Sequence, residues 1–355
     1  MKNIPINKGN YSLDTEERNN AFSAKLASGW EEDYRQYRSN WIDCAKNRTL
    51  MEYPLLLDLE TSSVCNLRCP MCYTITEDFK KKVNATLMDL ELYKKIIEEI
   101  AGNVPAIRLS LRGEPTLHPD LCCMVRYAKQ NNIGEVSFLT NGSRFDSEYV
   151  EKLIDAGVDW ITLSIDGLGV TYEQIRQPML FETIIKYTKN ITTIKKQRRI
   201  VKPVIKIQSI WPAVRNDPAA FYHCFAPYSD LIAFNPLIDY LSMDTDIVYI
   251  DDFACPQLYQ RLVIGADGTA LMCSNDEENA NPVGDANKQS IHEIWHGEKL
   301  SAVRAAHAKT DGFKNFNACM NCFLPRATSE DEYAEIDGRE FCIPNYINRS
   351  QIVGE

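Results

Sequence analysis

Short apolar segments that alternate with amphipathic segments constrain the fold of this chain more than any other feature. Between residue 54 and about residue 245, six apolar segments have the length of strands, and helical periodicity fills the intervals. The strand candidates are residues 55–61, 106–113, 135–142, 160–166, 204–211 and 231–237. The clearest helix candidate is residues 88–102, where Asp89 can cap the start and Gly102 can end it. Repeated β–α units predict a parallel sheet with both faces covered by helices.

Polar residues collect where these predicted strands end. They form five groups: Glu60-Thr61, Arg112 to Pro115, Thr140 to Gly142, Ser164 to Gly167, and Gln208. One such group is ordinary turn chemistry, because Asn-Gly and Asp-Gly favour loops. Ligands of parallel α/β folds bind at the carboxyl edge of the strands, so five groups at that edge predict a binding site. An open sheet and a partial barrel are both compatible with the alternation.

The patterning divides the chain into four parts. Residues 1–53 form an N-terminal extension that is expected to be partly helical, and residues 54–245 hold the β–α units. Residues 246–325 contain a hairpin over 262–273 and a helix over 290–308, and the tail 326–355 is acidic and weakly patterned. The extension has aromatic residues at helical spacing, which we interpret as a packing surface: Trp30, Tyr34, Tyr37 and Trp41.

Charge and hydropathy exclude some classes of function. The formal net charge of -10 argues against binding along a nucleic-acid backbone, which requires a basic surface. The first twenty residues are polar and lack the apolar core of a signal peptide. No run of about 18 apolar residues is present. We therefore expect a cytoplasmic protein without nucleic-acid or membrane partners.

The cysteines are the chemically informative residues. The chain has 12 of them, and a reducing compartment does not maintain structural disulfides. Seven fall into two patterned groups, which are Cys65, Cys69 and Cys72, and then Cys255, Cys273, Cys319 and Cys322. Five remain outside any pattern: Cys44, Cys122, Cys123, Cys224 and Cys342. Ligation of a metal ion or a cluster is the expected use of the patterned groups.

The first group has the spacing C-x3-C-x2-C. Composition alone would give such spacing with odds on the order of 10⁻³ for any one cysteine. Zinc is disfavoured, because it requires a fourth ligand and the nearest histidine is His118. In a [4Fe–4S] cluster, three thiolates would leave one iron open for an exogenous ligand.

The stretch "CNLRCPMCY" (residues 65–73) resembles the signature loop of the radical S-adenosylmethionine (radical SAM) superfamily, with Tyr73 as the aromatic residue after the third cysteine. "LSLRGEPTLHPDL" (109–121) is similar to the GGEP-type motif of that family, although Arg112 stands where the family often has glycine. Residues 140–142, 163–167 and 172–176 also match. The resemblance covers residues 54–240 and implies a partial (β/α)6, TIM-like barrel.

The resemblance implies that Cys65, Cys69 and Cys72 ligate a [4Fe–4S] cluster whose open iron binds the amino and carboxylate groups of SAM. An electron from the cluster would break the C5′–S bond, and the 5′-deoxyadenosyl radical would abstract a hydrogen atom from the substrate. Tyr73 would lie against the adenine, and Glu114 would pair with the SAM ammonium. The complete implied cofactor-binding set is Tyr73, Gly113, Glu114, Pro115, Asn141, Ser164, Asp166, Arg176 and Gln208. Arg176 could equally be a surface residue.

The second cysteine group offers four thiolates, enough to ligate zinc or a cluster completely. Behind such a barrel it resembles the C-terminal SPASM/twitch domains, which carry auxiliary [4Fe–4S] clusters. Only Cys342 follows the final C-x2-C, so the domain looks twitch-type with one auxiliary cluster. This layout resembles dehydrogenases and epimerases of aminocyclitols and sugars. The cluster could accept or relay an electron, or serve only as a structural element.

Our first hypothesis is therefore a radical SAM oxidoreductase. It would dehydrogenate or epimerise a carbinol of a sugar, sugar nucleotide or aminocyclitol, with a flavodoxin- or ferredoxin-type electron donor. Cys224 and Cys342 are the candidate hydrogen donors of an epimerase, although an unpatterned cysteine is more often a small buried hydrophobe. The alternative is a maturase of a ribosomally made peptide. A non-enzymatic iron–sulfur protein would not account for the SAM motifs.

Overall fold

The computed structural model of this protein describes Ile4 and residues 11–235, 247–328 and 331–344. The strands are β1 (Tyr11–Ser12), β2 (Leu56–Leu59), β3 (Ala106–Arg108), β4 (Glu135–Thr140), β5 (Trp160–Ser164), β6 (Val204–Ile210), β7 (Leu231–Asn235), β8 (Arg261–Ile264), β9 (Thr269–Leu271), β10 (Pro282–Asp285), β11 (Glu332–Ile336) and β12 (Arg339–Ile343). The α-helices are α1 (Glu16–Ala27), α2 (Glu31–Asn47), α3 (Glu77–Lys82), α4 (Leu90–Ile100), α5 (Leu121–Gln130), α6 (Ser147–Ala156), α7 (Gly169–Ile175), α8 (Phe181–Arg198), α9 (Trp211–Val214), α10 (Pro218–Phe225), α11 (Ile291–Trp295), α12 (Glu298–His307) and α13 (Asn317–Met320).

The six predicted strands of the β–α region are all present as β2 to β7. They lie side by side in chain order, and each neighbouring pair is parallel. This confirms the predicted partial (β/α)6 arrangement. Strands β2 to β6 end earlier than predicted, because the polar residues at their carboxyl ends leave the hydrogen-bonded ladder and form loops. Strand β3, for example, ends at Arg108, and the polar segment 110–115 follows it.

The sheet continues past β2 into the cysteine-rich C-terminal region. Strand β8 pairs in parallel with β2, and β9 and β10 continue antiparallel, so the complete order is β1-β7-β6-β5-β4-β3-β2-β8-β9-β10. The predicted hairpin is present as β8 and β9. One hydrogen-bonded sheet therefore crosses the predicted boundary at residue 245, and the division into four parts stays a prediction.

The core lies between the sheet and the helices that cover it. Helix α4 shows how the sequence starts, buries and ends a helix. The Asp89 carboxylate caps its start by accepting from two backbone N–H groups, at 2.9 and 3.0 Å. The helix buries Ile96, Ile97 and Ile100, each contributing roughly 1.5–3 kcal/mol of burial free energy. Gly102 follows with a positive φ of 75°. Among the described residues, no helix has both the length and the apolar character that crossing a membrane requires.

The N-terminal helices cover the amino-terminal ends of the central strands. Tyr37 and Trp41 of α2 form a buried cluster with Leu55 and Leu56 at the start of β2 and with Ala106 at the start of β3. Strand β1 adds to the far edge of the sheet by pairing with β7. Helix α2 is thus attached at the amino-terminal edge of the central strands.

Two predictions about the C-terminal region were incomplete. The helix predicted over 290–308 is two helices, α11 and α12. Gly297 joins them in a turn so close that a Cβ would lie 2.9 Å from the Glu293 carbonyl oxygen. The acidic tail contains a hairpin, β11 and β12, which turns at Asp337-Gly338, two residues with positive φ. Asp-Gly is the residue pair that such a two-residue turn favours.

Candidate active site

The carboxyl ends of the parallel strands and the loop after β2 surround a cavity of about 350 Å³. The three cysteines of the first group line one side of it: Cys65, Cys69 and Cys72. Six of the predicted cofactor-binding residues also line it: Tyr73, Gly113, Glu114, Asn141, Ser164 and Arg176. The position of the cavity agrees with the expectation for a ligand site at the carboxyl edge of a parallel sheet.

Three predicted cofactor-binding residues do not line the cavity. Pro115 is buried at the start of a 3₁₀ turn, Pro115–Leu117. Asp166 is fully buried and pairs with Arg176, and the Gln208 carbonyl accepts a hydrogen bond from the Ile165 N–H at 2.9 Å. The predicted role of these three residues in cofactor binding stays a prediction.

Close backbone packing holds the cysteine loop against the loop after β3. A Cβ on Gly113 would lie within 2.6 Å of the Val64 carbonyl oxygen, so only glycine allows this approach. The Glu114 N–H donates to the same carbonyl at 2.8 Å. On the other side, the Asn141 side chain donates to Asn66 at 2.9 Å. The loop that carries the three cysteines is thus fixed by both neighbouring loops.

Glu114 connects the motif after β3 to the end of β4. Its carboxylate accepts from the Thr116 N–H and hydroxyl at 3.0 and 2.6 Å, from the Thr140 hydroxyl at 2.6 Å and from the Asn141 N–H at 2.7 Å. Burial raises the pKa of Glu114, and these hydrogen bonds oppose the shift. Oε2 accepts only from Asn141 among these donors. The predicted contact of Glu114 with the SAM ammonium stays a prediction.

Arg176 lies beside the cysteine loop and is not a surface residue, since its side chain is only 15% exposed. It pairs with Asp166, with Nε 2.6 Å from Oδ2, and its Nη1 lies 3.8 Å from the Cys69 sulfur. Burial raises the pKa of the Cys69 thiol to about 11, and Arg176 opposes the shift. Cluster ligation requires a thiolate, and a buried guanidinium beside the sulfur favours that form. The residues present therefore fit an iron–sulfur cluster.

The structure brings the second cysteine group together around another small cavity, lined by Cys255, Cys273, Cys319 and Cys322. Cys255 precedes β8, Cys273 follows β9 by two residues, and Cys319 lies in α13. In the described part of the chain, no three of these sulfur atoms lie within 4.8 Å of one another. Ligands of one tetrahedral zinc at about 2.3 Å would be about 3.8 Å apart. The four thiolates are enough to ligate either zinc or a cluster completely.

Polar neighbours of the second group were not predicted from the sequence. Asn275 donates to the Cys322 sulfur at 2.8 Å. Buried His307 accepts from the Cys255 N–H at 3.4 Å, and its Nε2 lies 3.6 Å from the Cys319 sulfur. Burial raises the pKa of Cys255 to about 12. Only the position of Asn275, two residues after a cysteine, could have indicated such contacts, because partners of metal ligands are set by the fold.

Two residues that sequence reasoning did not assign connect the two sites. Phe323 lines the large cavity and directly follows Cys322 of the second group. Arg112 also lines the large cavity, and its Nη1 donates to the Asn279 side chain at 2.6 Å. The second cysteine group is therefore adjacent in sequence and in space to the wall of the first site.

The two candidate hydrogen donors lie elsewhere. Cys224 is half-buried on α10 and lines neither of the two cavities described. Cys342 is exposed on β12, where its thiol lies 3.5 Å from Asp331. Neither cysteine lines the large cavity, and their assignment as hydrogen donors stays a prediction.

Comparisons with known families match both regions. A family model described as the radical SAM superfamily matches residues 59–201, and the SPASM model, described as an iron–sulfur cluster-binding domain, matches residues 255–323. The first match includes Cys65, Cys69 and Cys72. The second includes all four cysteines of the other group.

Curated relatives match over a limited part of their length. The tungsten-containing aldehyde ferredoxin oxidoreductase cofactor-modifying protein of Pyrococcus furiosus is 31% identical over 156 residues, 39% of this chain and 40% of the relative. Fe-coproporphyrin III synthase of Methanosarcina barkeri is 30% identical over 112 residues, 32% of this chain and 27% of the relative. GTP 3′,8-cyclase of Chlorobaculum tepidum is 37% identical over 112 residues, 31% of this chain and 32% of the relative. The matches span less than half of each relative.

Solved structures resemble the chain over a larger part. BtrN in complex with AdoMet and 2-DOIA has a TM-score of 0.55 at 16% identity, covering 76% of this chain and 92% of that one. SuiB of Streptococcus suis bound to S-adenosylmethionine has a TM-score of 0.56 at 14% identity, covering 87% and 88%. The anSMEcpe structure with AdoMet and the Cp18Cys peptide has a TM-score of 0.54 at 16% identity, covering 74% and 86%. At these identities the likeness shows a shared fold.

Proposed function

Because the chain belongs to the radical SAM superfamily and carries a C-terminal SPASM-type iron–sulfur domain, we propose that it oxidises a carbinol of a sugar, sugar nucleotide or aminocyclitol. The enzyme reductively cleaves SAM, and the resulting 5′-deoxyadenosyl radical abstracts a hydrogen atom from the carbinol carbon. A flavodoxin- or ferredoxin-type protein is the proposed source of electrons.

In this proposal, different residues around the large cavity bind the cluster, balance its charge and position SAM. Cys65, Cys69 and Cys72 would hold a [4Fe–4S] cluster, which would supply the reducing electron and a binding position for SAM. Arg176 balances the negative charge of the thiolates beside Cys69. Glu114 fixes the loops after β3 and β4 as a rigid wall for the SAM methionyl group.

One observation supports the oxidative proposal: the complete four-cysteine group lies next to the large cavity, because Phe323, which lines that cavity, directly follows Cys322 in the chain. Four thiolates would leave a [4Fe–4S] cluster no free position for substrate, and electron transfer is the role in catalysis that such a cluster could still have. A carbinol that has lost a hydrogen atom must lose one proton and one electron to become a ketone. In this proposal the second cysteine group holds the acceptor of that electron.

The closest alternative is modification of a peptide or protein side chain. It is supported by the likeness in fold to solved structures that hold peptides, SuiB with the precursor peptide SuiA and anSMEcpe with the Cp18Cys peptide. The small-molecule proposal is preferred, because the four-cysteine layout resembles a twitch-type domain and because the chain covers 92% of BtrN, whose structure holds 2-DOIA.

Cluster content and SAM cleavage test the first part of the proposal. Anaerobic reconstitution should give about eight irons per chain, and only about four irons per chain would refute the auxiliary cluster. SAM and dithionite should yield 5′-deoxyadenosine, and Cys65→Ala should abolish it. Cys319→Ala should keep about four irons and SAM cleavage but lose ketone formation.

Isotopes test the substrate and the outcome. Carbinols deuterated at carbon should transfer deuterium into 5′-deoxyadenosine, whereas transfer only from labelled peptides would favour the alternative. In D₂O, dehydrogenation leaves no solvent deuterium on carbon. An epimerase with a thiol donor would place deuterium in the product.

A further inference from the structure

Two of the five histidines of the chain lie four residues apart at helix α11: His292 is its second residue, and His296 directly follows its last residue. Their ring centroids are 4.5 Å apart. Glu52, from the segment before β2, contacts both histidines. Its side-chain Oε2 lies 3.1 Å from His292 Nε2, and its backbone carbonyl oxygen lies 3.0 Å from His296 Nε2. One ligand atom from each residue lies within 4.8 Å of the others, and no second group of three His, Cys, Asp or Glu does so in the described part of the chain.

The backbone that carries these three residues is firmly held. Trp295, between the two histidines, is fully buried, and its Nε1 donates to the Met51 carbonyl at 2.8 Å. The Glu99 carboxylate accepts from the Ile291 and His292 N–H groups at 2.9 and 3.0 Å. The helix and the segment at residue 52 are therefore already positioned against each other. A ligand that binds there needs to order only the side chains.

From this geometry we propose that Glu52, His292 and His296 form a binding site for a divalent transition-metal ion, with zinc as the expected occupant. Two imidazole nitrogens and one carboxylate oxygen suit zinc and its first-row neighbours. Residues four apart on a helix present their side chains to the same side. The Glu52 and His292 side chains are 85% and 43% exposed, so both are free to close to ligand distances of about 2.0–2.2 Å.

An ion pair alone does not account for the arrangement. An exposed histidine–carboxylate pair contributes little to stability and uses one imidazole. Here a second imidazole packs on the first, and two protonated rings at that distance would repel each other. Two neutral rings that share a cation would not. The Glu52 carbonyl oxygen or a water can complete the coordination.

The site is distinct from both cysteine groups and joins two distant parts of the sequence. Glu52 belongs to the connection between α2 and β2, and His292 lies 240 residues later in the SPASM-matched region. An ion bound by both segments favours the folded state by mass action. We therefore expect zinc to raise the Tm of the cluster-loaded enzyme without entering the catalytic chemistry.

The test is equilibrium dialysis of cluster-loaded, EDTA-treated enzyme against zinc, with zinc and iron counted by mass spectrometry. Wild type should retain about one zinc that the double variant His292→Asn/His296→Asn lacks, with iron unchanged in both. Glu52→Gln should weaken zinc binding at least about tenfold. His223→Asn is the matched control, because His223 is also exposed and pairs with a carboxylate, that of Asp337. It should bind zinc like wild type.

Two outcomes would overturn the proposal. One is equal zinc affinity in wild type and in the double variant. The other is an X-ray absorption spectrum of the retained zinc with sulfur ligands near 2.3 Å, which would place it at cysteines, instead of nitrogen and oxygen near 2.0–2.2 Å. Melting gives an independent reading: zinc should raise the Tm of wild type and of His223→Asn, and not that of Glu52→Gln.

Discussion

Arg112 and Glu60 form a salt bridge whose two side chains are 1% and 0% exposed. Arg112 Nε lies 2.7 Å from Glu60 Oε1, and the second guanidinium nitrogen contacts Oε2 in a bidentate arrangement. Glu60 also accepts from the Ala266 N–H at 3.0 Å, and Arg112 donates to Asn279. The pair thus joins the end of β2 and the SAM-motif loop to two loops of the auxiliary region.

Replacing Arg112 by alanine should strongly destabilise the fold. The Glu60 carboxylate would remain buried without its counter-charge, a change of about 3–5 kcal/mol in unfolding free energy. Anaerobic urea unfolding measures it. The control is Arg35→Ala, whose ion pair with Glu32 is exposed and should be nearly neutral. Similar unfolding midpoints for the two variants would contradict the importance of the buried pair.

Replacing Glu114 by glutamine should weaken SAM binding roughly tenfold, the equivalent of about 1.4 kcal/mol. The amide group would face at least one of the four hydrogen-bond donors that the carboxylate now accepts, leaving that donor unpaired. Equilibrium dialysis of SAM with cluster-loaded enzyme gives the Kd. Exposed Glu148→Gln is the control. The explanation fails if both variants bind SAM like wild type while holding the full complement of iron.

The buried carboxyl group of Glu135 should make the unfolding free energy depend on pH. Burial first, and then Asp159, raises the pKa of this carboxyl to about 7. Below that pH the folded protein keeps a proton that the unfolded chain releases near its ordinary pKa of about 4.3. The unfolding free energy therefore falls as pH rises from about 4.3 to about 7, and is level above it.

The variant Glu135→Gln removes that titration. Between pH 5 and pH 8, the unfolding free energy of wild type should fall by about 2 kcal/mol relative to that of the variant. Urea unfolding at several pH values checks the difference. Asp155→Asn, at a half-exposed carboxylate, should show no such trend. A constant gap between Glu135→Gln and wild type would be the contrary result.

His307 should be needed to load the auxiliary site. His307→Ala removes the acceptor of the Cys255 N–H and the ring beside the Cys319 sulfur. Iron should fall from about eight toward about four per chain, while SAM cleavage at the first site continues. His118→Asn is a matched change at another buried histidine, one that contacts the Met88 carbonyl. Equal iron loss in both variants would assign the effect to general destabilisation.

The parallel strands and the cysteine groups could be predicted because their signals are local. Apolar runs of strand length identified β2 to β7 within a few residues. The spacing of Cys65, Cys69 and Cys72 placed three thiolates in one loop, and that loop lines the cavity. The tail hairpin also had a local signal in Asp337-Gly338. Its acidic, half-exposed strands obscured the alternation that marks a strand.

The contacts between the two sites could not be predicted in this way. Arg112 meets Glu60 and Asn279 across 52 and 167 residues of sequence. That meeting depends on the pairing of β2 with β8, which no periodicity within either strand reveals. The same holds for His307 beside the cysteines and for Glu52 beside His292. Each contact joins two segments that come close together only when the complete sheet has formed.

The pairing of β2 with β8 also bears on how the chain folds as it is made. Leu59 ends the first strand of the barrel, and its partner Ile264 emerges from the ribosome only after about 200 further residues, roughly 10–40 seconds later at ordinary synthesis rates. Until then β2 presents an open edge to other chains. We expect the nascent protein to depend on a protecting chaperone in this interval, and a chain cut short before β8 to aggregate even though its six parallel strands are complete.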